Sequence, residues 1–289
     1  MKRKIATALM ILAAVTVLPA CGKTQANPDG TPNGRLVKSY VNMDGTGLKS
    51  SIHEYEYDDE DHYYVSETDL TPGKETFYEY DDDGNLTGEK CSDLSKGDSE
   101  ILYEYNDAGE ISRKTLIDEN GESTVLDYLY TDGNLTDDGE NRYEYDGDGN
   151  IIEKLAYSED SGIWVTVQTF DYDTAGNITK EVLYLKDGKN HITYEYYDYD
   201  ANGNYGKVVQ NADRPDDNSV STVRYDSHGN EILRKTKVTS PSGVEHSSAQ
   251  NKYEYDEYGN ILSVTLRNKF DSAFYKNQYI QYYEYEYDF

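Results

Sequence analysis

Aromatic and acidic residues alternate in short stretches of this chain, and each stretch is followed by turn residues and an apolar residue. The segment from Tyr78 to Leu86 reads Tyr-Glu-Tyr-Asp-Asp-Asp-Gly-Asn-Leu. A period of two places both tyrosines on one face of a β-strand and the acid between them on the other. The Asp and Gly that follow are typical of a tight turn, so the segment predicts a β-hairpin whose return strand begins at the apolar residue.

The same phrase returns along the chain, at Tyr103 to Ile111, Tyr128 to Leu135, Tyr143 to Ile151, Phe170 to Ile178, Tyr197 to Tyr205, Val223 to Ile232 and Tyr253 to Ile261. Such self-similarity indicates one supersecondary unit that is copied and stacked. Further turn dipeptides and β-prone runs separate the copies, and no later stretch has the apolar spacing of an amphipathic helix. The sequence therefore predicts an all-β fold, a long antiparallel meander of repeated hairpins with roughly 16 to 18 strands in a coiled or curled sheet.

One glycine occupies the same place in each phrase and is expected to have positive φ, where a type I turn passes into a G1 bulge. The aspartate that opens the turn, as at Asp146, suits hydrogen bonding to the turn backbone. We expect these glycines to be structural. They are Gly84, Gly109, Gly133, Gly149, Gly176, Gly203, Gly229 and Gly259.

The beginning of the chain predicts export and lipidation. A basic start is followed by an uncharged, mostly apolar stretch from Ile5 to Leu18, and Leu18-Pro-Ala-Cys21 resembles the lipobox of bacterial lipoproteins. The resemblance implies that residues 1–20 are a lipoprotein signal peptide and that Cys21 carries the lipid. Residues 21–34, rich in Gly, Pro and Asn, then form a flexible tether, and residues 35–289 form one repeat domain. We expect membrane attachment through this lipid, in the bacterial cell envelope outside the cytoplasm.

Charge and aromatic content narrow the classes of partner. The formal charge is −29, and loss of Lys2, Arg3 and Lys4 with the signal peptide takes it to −32. An acidic surface of this kind repels phosphate backbones and anionic headgroups. We therefore expect no nucleic-acid partner and no membrane contact by the protein surface. The 31 tyrosines greatly outnumber the five phenylalanines and the one tryptophan, so tyrosine rings should form most of the core.

That many tyrosines exceed what one interior holds, so some should lie outside as candidate binding residues for a glycan or a protein partner. The candidates are Tyr63, Tyr64, Tyr258, Tyr275, Tyr279 and Tyr282.

Catalytic and metal-binding motifs are not found in the sequence. There is no Gly-x-Ser-x-Gly or Ser-x-x-Lys motif, and the five histidines lack metal-ligand spacing. Acidic turns such as Asp81 to Asn85 lack the terminal Glu of an EF-hand loop. Cys91 has no disulfide partner if Cys21 is lipidated. We therefore expect no enzyme activity, no catalytic residue, no metal and no cofactor.

The phrase Tyr-x-Tyr-Asp-x-x-Gly-Asn-Leu resembles the YD repeat of bacterial Rhs proteins, toxin-complex shells and animal teneurins, from about Tyr55 to Asp288. In that family such hairpins coil into a β-shell that encloses a cargo peptide or acts in cell-surface contact. This chain has Asn after the turn glycine where many Rhs repeats have Arg, and its last residues lie within a copy of the repeat. The resemblance implies a small YD-repeat lipoprotein with a partial shell.

Together these features predict a non-enzymatic, lipid-anchored envelope or surface protein whose repeat sheet serves structure and contact. One alternative is a glycan- or peptidoglycan-binding module that uses an exposed stripe of tyrosines. A lesser alternative is an immunity or partner protein of an Rhs-type toxin system.

Overall fold

The computed structural model describes residues 35–43, 49–57, 64–69, 73–185, 190–213, 218–241, 243–270 and 277–286. These ranges contain 21 strands in one sheet and no helix, and so no helix suited to crossing a bilayer. The strands are β1 Arg35–Met43, β2 Lys49–Tyr57, β3 Tyr64–Asp69, β4 Lys74–Tyr80, β5 Leu86–Asp93, β6 Ser99–Tyr105, β7 Ile111–Ile117, β8 Ser123–Asp127, β9 Leu129–Thr131, β10 Asn134–Asp137, β11 Asn141–Tyr145, β12 Ile151–Ser158, β13 Ile163–Tyr172, β14 Ile178–Tyr184, β15 His191–Tyr199, β16 Tyr205–Ala212, β17 Asn218–Tyr225, β18 Glu231–Ser240, β19 Gly243–Tyr255, β20 Ile261–Phe270 and β21 Asn277–Glu286.

The predicted all-β antiparallel meander is confirmed. The strands are more numerous than predicted for two reasons. The segment before the first full phrase supplies β1 to β3, and a single residue, Tyr128, separates β8 from β9. Of these strands β9 has only three residues, too few to be recognised within a longer β-prone run of sequence.

Within the described residues each strand pairs antiparallel with the next one along the chain, except that no ladder joins β8 and β9. The last strand returns to the first, with Arg35 opposite Glu286 and Met43 opposite Tyr279. The ladder is therefore open at one place, and its two edge strands, β8 and β9, are consecutive in the chain.

The β8 and β9 strands run in the same direction. If every one of the 20 connections reversed the chain, β21 would run in the same direction as β1. The two strands are antiparallel, so one connection does not reverse the chain. Tyr128 therefore marks an offset within one strand path, and its N–H continues the pairing of β8 with β7 by donating to the carbonyl of Ser112 at 2.9 Å. The turn after β10 lies against β8, since a Cβ built on Gly139 would be 2.8 Å from the Cβ of Leu126.

The two faces of the sheet differ in chemistry. We call the side to which the phrase tyrosines point the tyrosine face; it is defined by Tyr80, Tyr105, Tyr145, Tyr172 and Tyr255, all half-buried. The acids between the paired aromatics, such as Glu79, Glu104 and Glu144, are exposed on the opposite face. This arrangement follows from the alternation of side chains along a strand.

Burial on the tyrosine face is shallow. Among the described residues no large side chain is fully buried, and the least exposed apolar one, Val223, is 5% exposed. Leu36, Val264 and Tyr283 pack together where β1, β20 and β21 meet. The fold therefore depends on its ladder and turns more than on a thick apolar core.

Candidate functional site

Five of the eight phrase turns are held by a reciprocal pair, the Asp that opens the turn and the Asn that follows the glycine. After β11, Asp146 Oδ1 accepts hydrogen bonds from the N–H groups of Asp148 and Asn150, both at 2.9 Å. Asn150 Nδ2 donates to Asp146 Oδ2 at 2.9 Å. The Asn150 side chain and then its N–H lower the pKa of Asp146. The same Asp–Asn bond is made by Asp81 and Asn85, Asp173 and Asn177, Asp200 and Asn204, and Asp256 and Asn260.

Two turns vary this pair without losing it. Asn106 and Glu110 exchange roles, and Asn106 Nδ2 donates to Glu110 Oε2 at 2.9 Å. In the turn after β17, the Tyr255 hydroxyl donates to Asp226 Oδ2 at 2.6 Å and accepts from Asn230 Nδ2 at 2.7 Å. Burial, together with the bond to Asp226, raises the pKa of Tyr255 to about 12. The phrase Asn, which the sequence pattern left without a role, thus closes the turn.

The phrase glycines all have positive φ, from 78° at Gly109 to 90° at Gly259. At Gly149 φ is 86°, and a Cβ built there would meet no atom within 4 Å. Backbone conformation, and not lack of space, therefore requires glycine at this position.

The second tyrosine of a phrase is bonded to the hairpin before it. Tyr172 Oη donates to the carbonyl oxygen of Ile151 at 2.8 Å. Equivalent bonds run from Tyr105 to Leu86 at 2.7 Å, Tyr130 to Ile111 at 3.0 Å, Tyr145 to Leu135 at 2.7 Å, and Tyr199 to Ile178. In each case the acceptor is the apolar residue that ends the preceding phrase. Burial raises the pKa of Tyr172, so its hydroxyl remains a donor at neutral pH.

The sequence-predicted binding tyrosines do not form one stripe in the described structure. Tyr282 lies on the opposite face and stacks on Tyr40, with ring centroids 5.1 Å apart. Tyr258 is half-buried in the turn before β20. Tyr64 and Tyr279 lie in β3 and β21. Tyr63, Tyr275 and the lipidation candidate Cys21 lie outside the described residues.

The most exposed tyrosines of the described structure are not among those predicted from the sequence. Tyr157 is 53% exposed, and Tyr184 and Tyr197 are each 41% exposed. The exposure of Tyr197 could have been predicted from the doublet Tyr196-Tyr197, because consecutive residues of a strand point to opposite faces.

An exposed aromatic cluster surrounds the only tryptophan of the chain. Trp164 lies opposite Tyr157 in the β12–β13 ladder, and their rings meet edge to face with centroids 5.7 Å apart. The Arg142 guanidinium lies 4.2 Å from the Trp164 ring centroid, within cation–π range. This cluster combines a flat apolar surface with a hydrogen-bond donor.

Seven basic residues lie on the opposite face of β16 to β20, and we call them the basic patch: Lys207, Arg224, Lys235, Lys237, Lys252, Arg267 and Lys269. The register places them on one side. Lys207 pairs with Thr222, which pairs with Lys235, and the row continues through Ser248 to Lys269. A second row joins Arg224 through Leu233 and Gln250 to Arg267.

Two carboxylates lie beside these cations in the described residues, Glu254 on β19 and Asp226 in the turn next to Arg224. Glu254 Oε1 is 2.7 Å from Lys252 Nζ. The seven cations and these two carboxylates give the region a net charge of +5 within a chain of −29. This region is therefore basic although the chain is acidic in total, because strand register gathers cations that are scattered in the sequence.

Two shallow depressions lie along the basic patch. One, of about 490 Å³, is lined by Arg224, Lys252 and Arg267 together with the Asp226–His228 turn and Tyr255. The other, of about 560 Å³, is lined by Lys235, Lys237, His246 and Lys269. In the described part of the chain no three His, Cys, Asp or Glu side chains are grouped as metal ligands. The chemistry of the patch is that of binding anions.

Neither a protein-family profile nor a curated protein sequence matches the chain. Among solved structures it is similar to the crystal structure of TcdB2-TccC3-Cdc42, with 13% identity, a TM-score of 0.38 and coverage of 91% of this chain and 18% of that one. The Photorhabdus luminescens Tc holotoxin pore gives 12% identity, a TM-score of 0.31 and coverage of 82% and 16%. A porin-like protein from Bacteroides vulgatus gives 11% identity and a TM-score of 0.36, with coverage of 88% of this chain and 99% of that one.

The chain spans less than a fifth of the toxin chains that it matches. The similarity to TcdB2-TccC3 is distant.

Proposed function

We propose that this chain is a non-enzymatic, lipid-anchored protein of the bacterial cell envelope, and that its repeat sheet is a scaffold for contacts made by the opposite face. One observation carries the proposal. The Asp, Asn and second Tyr side chains of the phrases bond to each other and to the backbone, as in the Asp146–Asn150 pair and the bond of Tyr172 to Ile151. The side chains with no part in this scaffold include the exposed cations of the basic patch.

The perturbed carboxylates have scaffold roles as well. Bonds within the turns lower the pKa values of Asp81, Asp146 and Asp173. Catalysis requires unlike groups that converge on a reacting atom, whereas these acids are repeated at one place in each hairpin. A repeated structural part is the better interpretation of their shifts.

The lipid anchor is tested by expressing the full chain in a bacterium and measuring the mass of its mature N-terminus. We expect cleavage before Cys21 and acyl groups on that residue, and we expect Cys21→Ala to abolish both. An unacylated N-terminus on the wild-type protein would contradict the anchor. Hydrolase activity that survived purification and was lost on a single His or carboxylate substitution would contradict the non-enzymatic part.

A second candidate is glycan binding, and the Tyr157–Trp164 cluster favours it. Aromatic faces stack on sugar rings, and Tyr157 is 53% exposed. Binding should change the fluorescence of Trp164, the only tryptophan. Tyr157→Ala should abolish the response to a glycan, whereas Tyr184→Ala, which removes a comparably exposed ring from another strand, should leave it unchanged. A glycan that bound both variants equally would exclude this cluster as its site.

A further inference from the structure

We propose that the basic patch rests on the anionic phospholipid headgroups of the membrane that holds the protein, so that the sheet lies against the bilayer on one fixed face. This inference rests on the lipid anchoring proposed above. It adds a protein surface to an attachment that the sequence ascribed to the lipid alone.

The patch offers cations that the protein itself leaves available. Among the described residues, Arg224, Lys235, Lys237, Arg267 and Lys269 are exposed and form no ion pair with a carboxylate. Near an anionic membrane each such residue strengthens binding roughly fivefold. Unpaired cations on one flat array of strands are suited to a surface covered with phosphates.

The negative charge of the whole chain does not prevent this contact. Five strands about 4.8 Å apart make the patch roughly 20 Å wide. At physiological ionic strength the Debye length is about 8 Å, so acids beyond the patch are screened from headgroups beneath it. The local charge of +5 therefore decides the interaction.

Small polar side chains separate the cations of the row from Lys207 to Lys269, whereas Leu233 and Gln250 separate Arg224 from Arg267. Ser248 pairs with Lys235 and Lys269, and Thr265 pairs with Lys252. These side chains do not project beyond the lysines, and their hydroxyls can donate to phosphate oxygens. Headgroups can therefore reach Lys235 and Lys269 without displacing a bulky residue.

The tether leads to the same region of the sheet. Arg35 begins β1, which pairs with β21, and β21 pairs with β20 at the border of the patch. Arg35 lies opposite Glu286, and Glu286 is eight residues along β21 from Gln278, the partner of Arg267. The offset from Arg35 to Arg267 is therefore about 10 Å across the strands and about 25 Å along them. A chain of the length of residues 21–34 has a root-mean-square reach of about 20 Å and an extended reach of about 45 Å. The membrane that holds Cys21 is thus within reach of the patch.

The test uses the mature chain from Cys21 with Cys21→Ser, which carries no lipid; all described strands lie at or after Arg35. Its partition is measured by sedimentation with vesicles of phosphatidylcholine alone and of phosphatidylcholine with phosphatidylglycerol. We expect binding to the anionic vesicles only, and weaker binding as salt is raised. Lys235→Glu with Lys237→Glu should weaken binding at least about tenfold.

Lys74→Glu with Lys96→Glu is the matched control. These exposed lysines lie in β4 and in the turn after β5, and the substitutions change the total charge by the same amount. We expect less than about a threefold effect, because this region lies seven strands from β18 along the ladder. Circular dichroism of both variants must match that of the parent.

Three outcomes would overturn the proposal. One is absence of binding to anionic vesicles, and another is an equal loss in the control. The third is tighter binding to soluble polyphosphate or duplex DNA than to vesicles, which would assign the patch to a soluble polyanion. The vesicle assay uses protein without the lipid anchor on Cys21. A negative result in it is therefore distinguishable from a failure of Cys21 acylation.

Discussion

The hydroxyl of Tyr172 donates a 2.8 Å hydrogen bond to the carbonyl oxygen of Ile151 on the neighbouring strand. The bond joins one hairpin to the next, and it explains why the aromatic residue at this place is tyrosine. Phenylalanine would bury the same ring and leave the carbonyl without this donor.

Tyr172→Phe should therefore lower the free energy of unfolding by about 1 kcal/mol. The control is Tyr157→Phe, since Tyr157 is 53% exposed and its hydroxyl makes no hydrogen bond within the described residues. Denaturant unfolding of both variants measures the difference. Equal effects of the two changes would show that the inter-hairpin bond contributes nothing of its own.

Gly149→Ala should destabilise the protein by about 1 kcal/mol, because φ is 86° and alanine is strained there. Gly147→Ala is the matched control in the same turn. A Cβ at either glycine has no atom within 4 Å, but Gly147 does not have positive φ. We expect the control to be neutral or slightly stabilising in thermal melts. Similar losses in both variants would refute the conformational explanation.

The turn aspartates predict a loss of stability in acid. Hydrogen bonds from Asn150 lower the folded-state pKa of Asp146 below its unfolded value near 3.9. The stabilisation is therefore present above that unfolded value and is lost as the pH falls below it, through the folded-state pKa.

Unfolding of wild type and Asp146→Asn should be compared from pH 7 to pH 2.5. We expect the stability difference to be constant down to about pH 5 and to shrink below about pH 4. Asp148→Asn removes a charge from the same turn, where the Asp148 side chain accepts no hydrogen bond from described residues. A difference for Asp146→Asn that did not vary with pH would exclude the carboxylate as its source.

The ion pair of Arg234 and Glu231 should matter more than an exposed pair. Arg234 Nη2 is 2.5 Å from Glu231 Oε2 and also donates to Tyr205 Oη at 3.1 Å on the tyrosine face. Burial opposes the charge of Arg234, but these bonds outweigh it and raise its pKa. Glu231→Gln should cost about 1–3 kcal/mol. Glu254→Gln, which breaks the exposed pair with Lys252, should cost much less.

The sequence predicts the local features of this fold well. Strands, turn glycines and the facing of Tyr80 or Tyr145 follow from a period of two and from turn chemistry, which involve residues close in the chain. The pairing of Arg35 with Glu286 does not follow, because nothing near either residue specifies a partner at the other end of the chain. Long-range register is set by the whole sheet.

The basic patch escaped prediction for the same reason. Each contributing strand carries only one or two of its cations, and register alone brings Lys235 beside Lys269 through Ser248. A count of charges in this part of the sequence does indicate a less acidic region. Residues 205–270 contain nine basic and nine acidic residues, whereas the whole chain has 27 and 56. The total of −29 hid this balance.

Because the chain does not reverse at Tyr128, only some changes in the number of strands preserve the pairing of β1 with β21. Tandem duplication of one phrase with its two strands would leave the first strand antiparallel to the last and keep Arg35 opposite Glu286. Insertion of a single strand would bring the last strand back parallel, with slanted hydrogen bonds and a different register. Changes in length by whole hairpins are therefore the ones that preserve the junction of the chain ends, and related chains should differ by even numbers of strands.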